Sequence, residues 1–279
     1  MRFDAESLFS LEGRVVLLTG ASGFLGRTMA EALLANGARI VTFGRSDRLE
    51  EAARRWEEEH GPGRVVAHRF DMADEHALRD ALGRVLEAER QVDVLINNAH
   101  ELGPASGFNV PEGTLGRFDR DQWRRHVDGG LWWAALTTQL VGGRMAEAGG
   151  GSIVNVSSMY GLVAPSPHLY EDTSFVNPPG YSVAKAGLLA LTRYTASFWG
   201  GRGVRANALV PGPFSNTADA GPNAVDPDDP FLRRLSDRTM LGRVGAPHEL
   251  AGALLFLASD ASTYVTGHSL VVDGGWTVT

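Results

Sequence analysis

The sequence predicts an α/β fold: a single domain, 1–279, built on a doubly wound parallel sheet of seven strands with helices on both faces. Two observations carry this expectation. Short apolar runs, several of them β-branched, alternate with longer amphipathic segments, the pattern of a sheet buried on both sides by crossover helices. No internal repeat or low-complexity linker interrupts the alternation, so one sheet accounts for every run.

Strands are expected at 15–18, 40–43, 65–70, 94–96, 153–156, 205–209 and 270–272. Helices are expected between them at 24–36, 48–59, 75–89, 121–148, 181–199 and 247–258. Two proline-rich stretches break the rhythm, one with Pro165, Pro167, Pro178 and Pro179, the other beginning at Pro211. They give loops over about 164–180 and 211–240, each after a strand, where the ligand crevice of an open parallel sheet lies.

Composition narrows the function classes. Hydrophobic residues at 43% and charged residues at 21% describe a globular chain. The absence of cysteine excludes disulfides, thiolate metal sites and a cysteine nucleophile, so nothing demands an oxidising compartment and the cytoplasm is expected. With 26 basic against 33 acidic residues the net charge is −7, which repels a nucleic-acid backbone. The longest apolar run, 250–258, is too short to span a membrane, and the charged segment 1–14 does not read as a signal peptide. The eight histidines form neither H-x-H nor H-E-x-x-H, so no metal is expected.

The first strand runs directly into Gly20-Ala21-Ser22-Gly23-Phe24-Leu25-Gly26, and a helical pattern follows at once. Glycines at such a junction permit a tight turn and let the backbone approach a pyrophosphate, while the helix N-terminus presents N–H groups to the anion. This is the signature of a Rossmann-type, dinucleotide-binding sheet. The second strand ends in Arg45-Ser46 rather than in a carboxylate. A carboxylate there would hold the ribose hydroxyls of NAD(H); Arg45, with Ser46 beside it, suits a 2′-phosphate, so NADP(H) is favoured and NAD(H) remains possible.

Further along stand Asp71-Met72, Asn97-Asn98-Ala99, Ser157-Ser158, Tyr181-x-x-x-Lys185, Pro211-Gly212-Pro213-Phe214 and Asp273-Gly274-Gly275. In this order they resemble the short-chain dehydrogenase/reductase family, from Gly13 to the end of the chain. Tyr181 and Lys185 are one helical turn apart, and a cation beside the phenol is expected to lower its pKa from about 10. Tyr181 would then serve as general acid or base, and Ser158 would hydrogen-bond the substrate oxygen. The resemblance implies hydride transfer between the nicotinamide and a carbonyl or secondary alcohol. It also implies cofactor contacts at Gly20, Ser22, Gly23, Phe24, Leu25, Gly26, Arg45, Ser46, Asp71, Met72, Asn98, Ala99, Tyr181, Lys185, Pro211, Gly212 and Phe214.

Three departures from the family pattern stand out. The spacing of Gly20, Gly23 and Gly26 is that of its extended members, many of them epimerases or dehydratases, whereas the short C-terminal end is not. The helix after the fourth strand has no asparagine where the family places one to hold a water near the lysine; Gly130 occupies the matching position, with Asp128 next. Ser158 and Tyr181 are 23 positions apart, longer than usual, and the added segment 168–179 resembles that of sugar-related dehydrogenases. Its hydroxyls and carboxylates would suit a small polyhydroxylated substrate. Adjacent Trp132 and Trp133 cannot share one core face, and the family commonly forms dimers and tetramers, so a homo-oligomer is expected. The alternative readings are a dinucleotide-binding regulator without turnover, or an epimerase or dehydratase like the family's extended members.

Overall fold

The computed structural model describes residues 4–215 and 229–278. Its centre is a seven-stranded, all-parallel sheet in the order β3-β2-β1-β4-β5-β6-β7. The strands are β1 Val15–Thr19, β2 Arg39–Gly44, β3 Val65–Arg69, β4 Val94–Asn97, β5 Gly151–Val156, β6 Val204–Pro211 and β7 Ser269–Val272. Each coincides with one of the expected runs, with ends within three residues.

Period-two alternation along a strand divides its side chains between two cores. Val16 and Leu18 face α2 (Phe24–Ala35), α3 (Asp47–His60) and α9 (Ala251–Ala258), joining Met29, Leu33, Trp56 and Leu254. Leu17 faces the other side, with Leu78 and Leu82 of α4 (Glu75–Ala88) and Leu136 of α6 (Trp133–Ala148). A buried leucine of this kind contributes about 2–5 kcal/mol when truncation to alanine is the measure. The strand order reverses between β1 and β4, and a crevice opens there at the strands' C-terminal ends.

Three elements differ from the sequence expectation. The helix expected at 121–148 is two: α5, Arg120–Val127, begins at an Asp119–Gln122 capping box and passes through a π-helical turn, Asp128–Trp132, into α6. Gly129 and Gly130 occupy that turn, where glycine's low helix propensity permits the extra residue. A short N-terminal helix, α1 (Ala5–Phe9), was not anticipated. The second expected loop holds α8, Pro230–Asp237, started by the Asp229 side chain and a proline in its first turn; the part at 216–228 lies outside the described residues. Trp132 and Trp133 separate as expected. Trp133 is buried in the core, and Trp132 is exposed, donating from Nε1 to Glu75.

The turn after β1 is made possible by missing side chains. Gly20 has φ +72°, and a Cβ at Gly26 would lie 2.1 Å from the Gly20 carbonyl oxygen. Gly26→Ala therefore lowers stability by about 1–3 kcal/mol through forced overpacking. Gly83→Ala, in the interior of α4 with open space around it, raises stability by about 0.5–1 kcal/mol. Urea denaturation midpoints of the two variants check the opposite signs.

Candidate active site

A cleft of about 520 Å³ runs along the C-terminal ends of β1, β2, β4, β5 and β6. It gathers every expected site residue but one. Gly20, Ser22, Gly23, Phe24, Leu25 and Gly26 form one wall; Arg45, Ser46, Asp71 and Met72 another; Asn98, Ala99, Ser158, Tyr181, Lys185, Pro211 and Gly212 close it. Phe214 is the exception. It bridges to Gly245 and packs against the sheet core instead of the cleft.

The glycine wall fits the pyrophosphate of a dinucleotide. Gly23 is the N-cap of α2, so no side chain occupies the first-turn N–H groups, and the chain of glycines leaves a cradle that Cβ atoms would fill. Asn98 fastens the opposite side. Its Nδ2 donates to the carbonyls of Thr19 and Gly20, both at 3.1 Å, while Thr19 Oγ1 accepts from the N–H groups of Asn98 and Ala99. Arg45 faces Asp71 across the mouth, Nη1 to Oδ2 3.6 Å, with both side chains largely exposed. Such a pair is weak enough for an incoming phosphate to compete.

The deep end holds Ser158, Tyr181 and Lys185. Ser158 follows β5, and α7 (Pro179–Trp199) carries the other two one turn apart. Tyr181 lines the cleft with partial exposure, the Ser158 side chain beside it. Lys185 is buried; its Nζ donates to the Val156 carbonyl at 2.8 Å and lies 5.7 Å from the Tyr181 ring centroid. Their charge states differ from the sequence expectation. Desolvation raises the Tyr181 pKa above its ordinary value, and the bond from Ser158 offsets this only in part. Burial likewise pushes the Lys185 ammonium down to about 7. In the protein alone, lysine thus does not hold tyrosine as phenolate, because the same desolvation removes the lysine's own charge.

The segment 168–179 also differs. Its carboxylates do not line the cleft: Glu171 pairs with His168 on the surface, and Asp172 is exposed. Leu169 and Tyr170 instead turn inward, forming a small core with Met159, Tyr160 and Trp276, in which the Tyr160 and Tyr170 hydroxyls meet at 3.1 Å. The segment acts as a packed wall behind the site.

His100 was not anticipated from the sequence. It lines the cleft beside Tyr181, ring centroids 5.0 Å apart, and its Nε2 lies 3.1 Å from Nδ1 of His126 on α5. The available signal was a histidine directly after Asn97-Asn98-Ala99, with a glycine pair on the helix facing it.

Comparisons with known proteins agree with this architecture. A family model described as enoyl-(acyl carrier protein) reductase matches residues 20–277. The chain belongs to the short-chain dehydrogenase/reductase family. It is an NAD(P)-dependent oxidoreductase. It is 31% identical to a 2-dehydro-3-deoxy-D-gluconate 5-dehydrogenase of Bacillus subtilis (strain 168), over 96% of each chain. An L-rhamnose 1-dehydrogenase (NAD(P)(+)) of Azotobacter vinelandii is 36% identical over 94% of this chain and 96% of that one. A solved gluconate 5-dehydrogenase from Burkholderia cenocepacia J2315, in complex with NADP and tartrate, superposes with a TM-score of 0.83 at 30% identity, covering 99% and 100% of the two chains.

The buried lysine makes stability depend on pH. Between about 7 and the ordinary value of 10.5 the folded state holds Lys185 neutral while the unfolded chain protonates it. The unfolded state then binds more protons, so the lysine's contribution to stability rises with pH through that window. Lys185→Met removes the rise. Urea denaturation of the cofactor-free proteins from neutral to alkaline pH is expected to show the wild type gaining on the variant; parallel curves would contradict the assignment.

Proposed function

We propose that this protein interconverts a secondary hydroxyl and a carbonyl on a small polyhydroxylated substrate, a sugar acid or polyol, using NADP(H) in preference to NAD(H). The observation that carries the reading is the meeting of the Ser158 and Tyr181 side chains at the deep end of the dinucleotide cleft, with Lys185 behind them. When bound, the nicotinamide supplies or accepts the hydride.

The chain's own residues handle the oxygen and its proton. Tyr181 gives a proton to the developing alkoxide in reduction and removes one from the hydroxyl in oxidation. Ser158, beside Tyr181, holds the same substrate oxygen and stabilises its charge. The ammonium of Lys185, once an anionic cofactor lies along the cleft, regains the charge that burial suppresses and draws the Tyr181 pKa down. Gly20, Ser22, Gly23, Phe24, Leu25 and Gly26 cradle the pyrophosphate, and Arg45 with Ser46 takes the 2′-phosphate; Asp71, Met72, Asn98, Ala99, Pro211 and Gly212 complete the walls. The polyhydroxylated substrates and the NADP named for the relatives above support the substrate class and cofactor.

Titration with NADPH and NADH is expected to show tighter NADPH binding. An absorbance screen of sugar acids, polyols and their keto forms is expected to find turnover that Tyr181→Phe abolishes while retaining NADPH affinity. Turnover preserved in Tyr181→Phe would refute the catalytic assignment.

We further propose a cytoplasmic homo-oligomer, a dimer or tetramer. Among the described residues no helix is long and apolar enough to cross a membrane. The outer face of α7 leaves Val183, Tyr194 and Phe198 exposed, the last two stacked at 6.1 Å, and a contiguous aromatic face of this kind favours burial against a partner. Sedimentation velocity at micromolar concentration is expected to show a species larger than the 29.9 kDa monomer; a monomer alone would oppose it.

A further inference from the structure

We infer that His100 and His126 form a proton-holding pair serving Tyr181 and Lys185, in the space that Gly130 leaves open. The inference rests on the catalytic reading of Tyr181 and Lys185 given above.

Shape complementarity supplies the first argument. A Cβ at Gly130 would fall 2.2 Å from Cε1 and 2.6 Å from Nδ1 of His100, and one at Gly180 would fall 2.9 Å from Cδ2 of His126. Each imidazole thus depends on one absent side chain, and Gly130 lies in the π-helical turn, a distortion that recurs at functional sites. The second argument is an inventory of polar atoms. His100 Nε2 and His126 Nδ1 are bonded to each other, while His100 Nδ1 and His126 Nε2 are buried without a hydrogen-bond partner among the described residues. Buried polar atoms are rarely left so unless a further group engages them.

The pair takes the tautomers that leave one acceptor free. Burial disfavours the His126 imidazolium, which the Ser106 carbonyl offsets in part, and the neutral ring carries its proton on Nε2. His126 Nδ1 then accepts from His100 Nε2–H, and His100 Nδ1 is left as a buried acceptor beside Gly130. The groups facing His100 are the Tyr181 ring, Lys185 and His126; the neighbouring Glu101 carboxylate is engaged by Arg125 at 2.5 Å. Burial keeps His100 neutral at rest.

In oxidation one proton leaves the substrate hydroxyl as its carbon surrenders a hydride to the oxidised nicotinamide. That proton passes to Tyr181 Oη, then through the Tyr181–Lys185 pair to His100 Nδ1. There it is held as an imidazolium whose Nε2–H bonds to His126. Water entering the cleft on product release takes it away. Reduction runs the same steps backwards, with the charged pair as the proton source.

Two experiments test this. Histidine-selective 15N NMR reads the tautomers without turnover: at neutral pH both rings are expected to carry the proton on Nε2, and His126→Phe is expected to change the His100 pattern. A proton on His100 Nδ1, or independent titration of the two rings, overturns the pair. The second experiment is steady-state kinetics with a polyol that the wild type oxidises. His100→Phe keeps the ring's volume and is expected to lower kcat at least about tenfold with little change in KM, and to alter the acid limb of the kcat profile. The double variant His100→Ala with Gly130→Asn puts an amide into the vacated space and is expected to recover part of the loss. NADPH binding and Tm report folding of each variant. An unchanged kcat and pH profile in His100→Phe overturns the pair alone, whereas turnover retained in Tyr181→Phe overturns the reading beneath it.

Discussion

The site depends on how α7 is seated against β4 and β5. A buried polar ladder sets that seating: Thr137 donates to Asn97 Oδ1, Asn97 Nδ2 to Asn155 Oδ1 at 2.8 Å, and Asn155 Nδ2 to Thr192 at 2.9 Å. Every member sits in a dry interior where an unmatched amide costs about 1–3 kcal/mol, so the ladder penalises any other register of the helix. Two turns toward the cleft, Ser157 Oγ donates to the Lys185 carbonyl at 2.8 Å, and Gly161 lets the chain approach Lys185 more closely than a Cβ would permit. Tyr181 and Lys185 therefore reach the cleft on a helix whose position is fixed by bonds to two strands.

That seating also decides the electrostatics. Drawing Lys185 into the interior gives it one carbonyl partner, the Val156 oxygen, and, among the described residues, no facing carboxylate. Desolvation then outweighs hydrogen bonding for the ammonium and for the phenol alike. The resting pair is poised near its neutral forms. In the proposed reaction, a negative charge brought into the cleft would favour the Lys185 ammonium and, through it, the Tyr181 phenolate.

Much of this was legible in the sequence because it rests on local patterns. The glycine turn could be read from Gly20 to Gly26 because backbone sterics demand glycine there, and the strands showed because parallel strands are apolar on both faces. The Tyr181–Lys185 spacing showed because it is one helical turn. What escaped depends on tertiary placement. The π-helical turn at Asp128–Trp132 is only five residues long, too brief an interruption for periodicity to separate α5 from α6. His100 and His126 are 26 positions apart, and only the folded chain shows that Gly130 and Gly180 make room for them. The sign of the Tyr181 shift was missed for the same reason, since spacing reports the neighbour and not the burial.

The segment 168–179 shows why loop composition is a poor guide to contact. Its polar residues suggested a lining for a hydroxylated substrate, yet Leu169 and Tyr170 anchor it inward while Glu171 and Asp172 stay at the surface. Arg234 of α8 donates to the carbonyls of Leu169 and Glu171, so the loop and that helix are held as one unit. The Tyr160 and Tyr170 hydroxyls satisfy each other inside this unit, and the Arg238 guanidinium lies over Trp276 at its edge. A wall built from paired hydroxyls and aromatic rings limits the room beside Tyr181 through its volume rather than through charge. In the proposed reaction the packing of this unit would bound the substrate's shape, with hydrogen bonding to the reacting oxygen assigned to Ser158 and Tyr181.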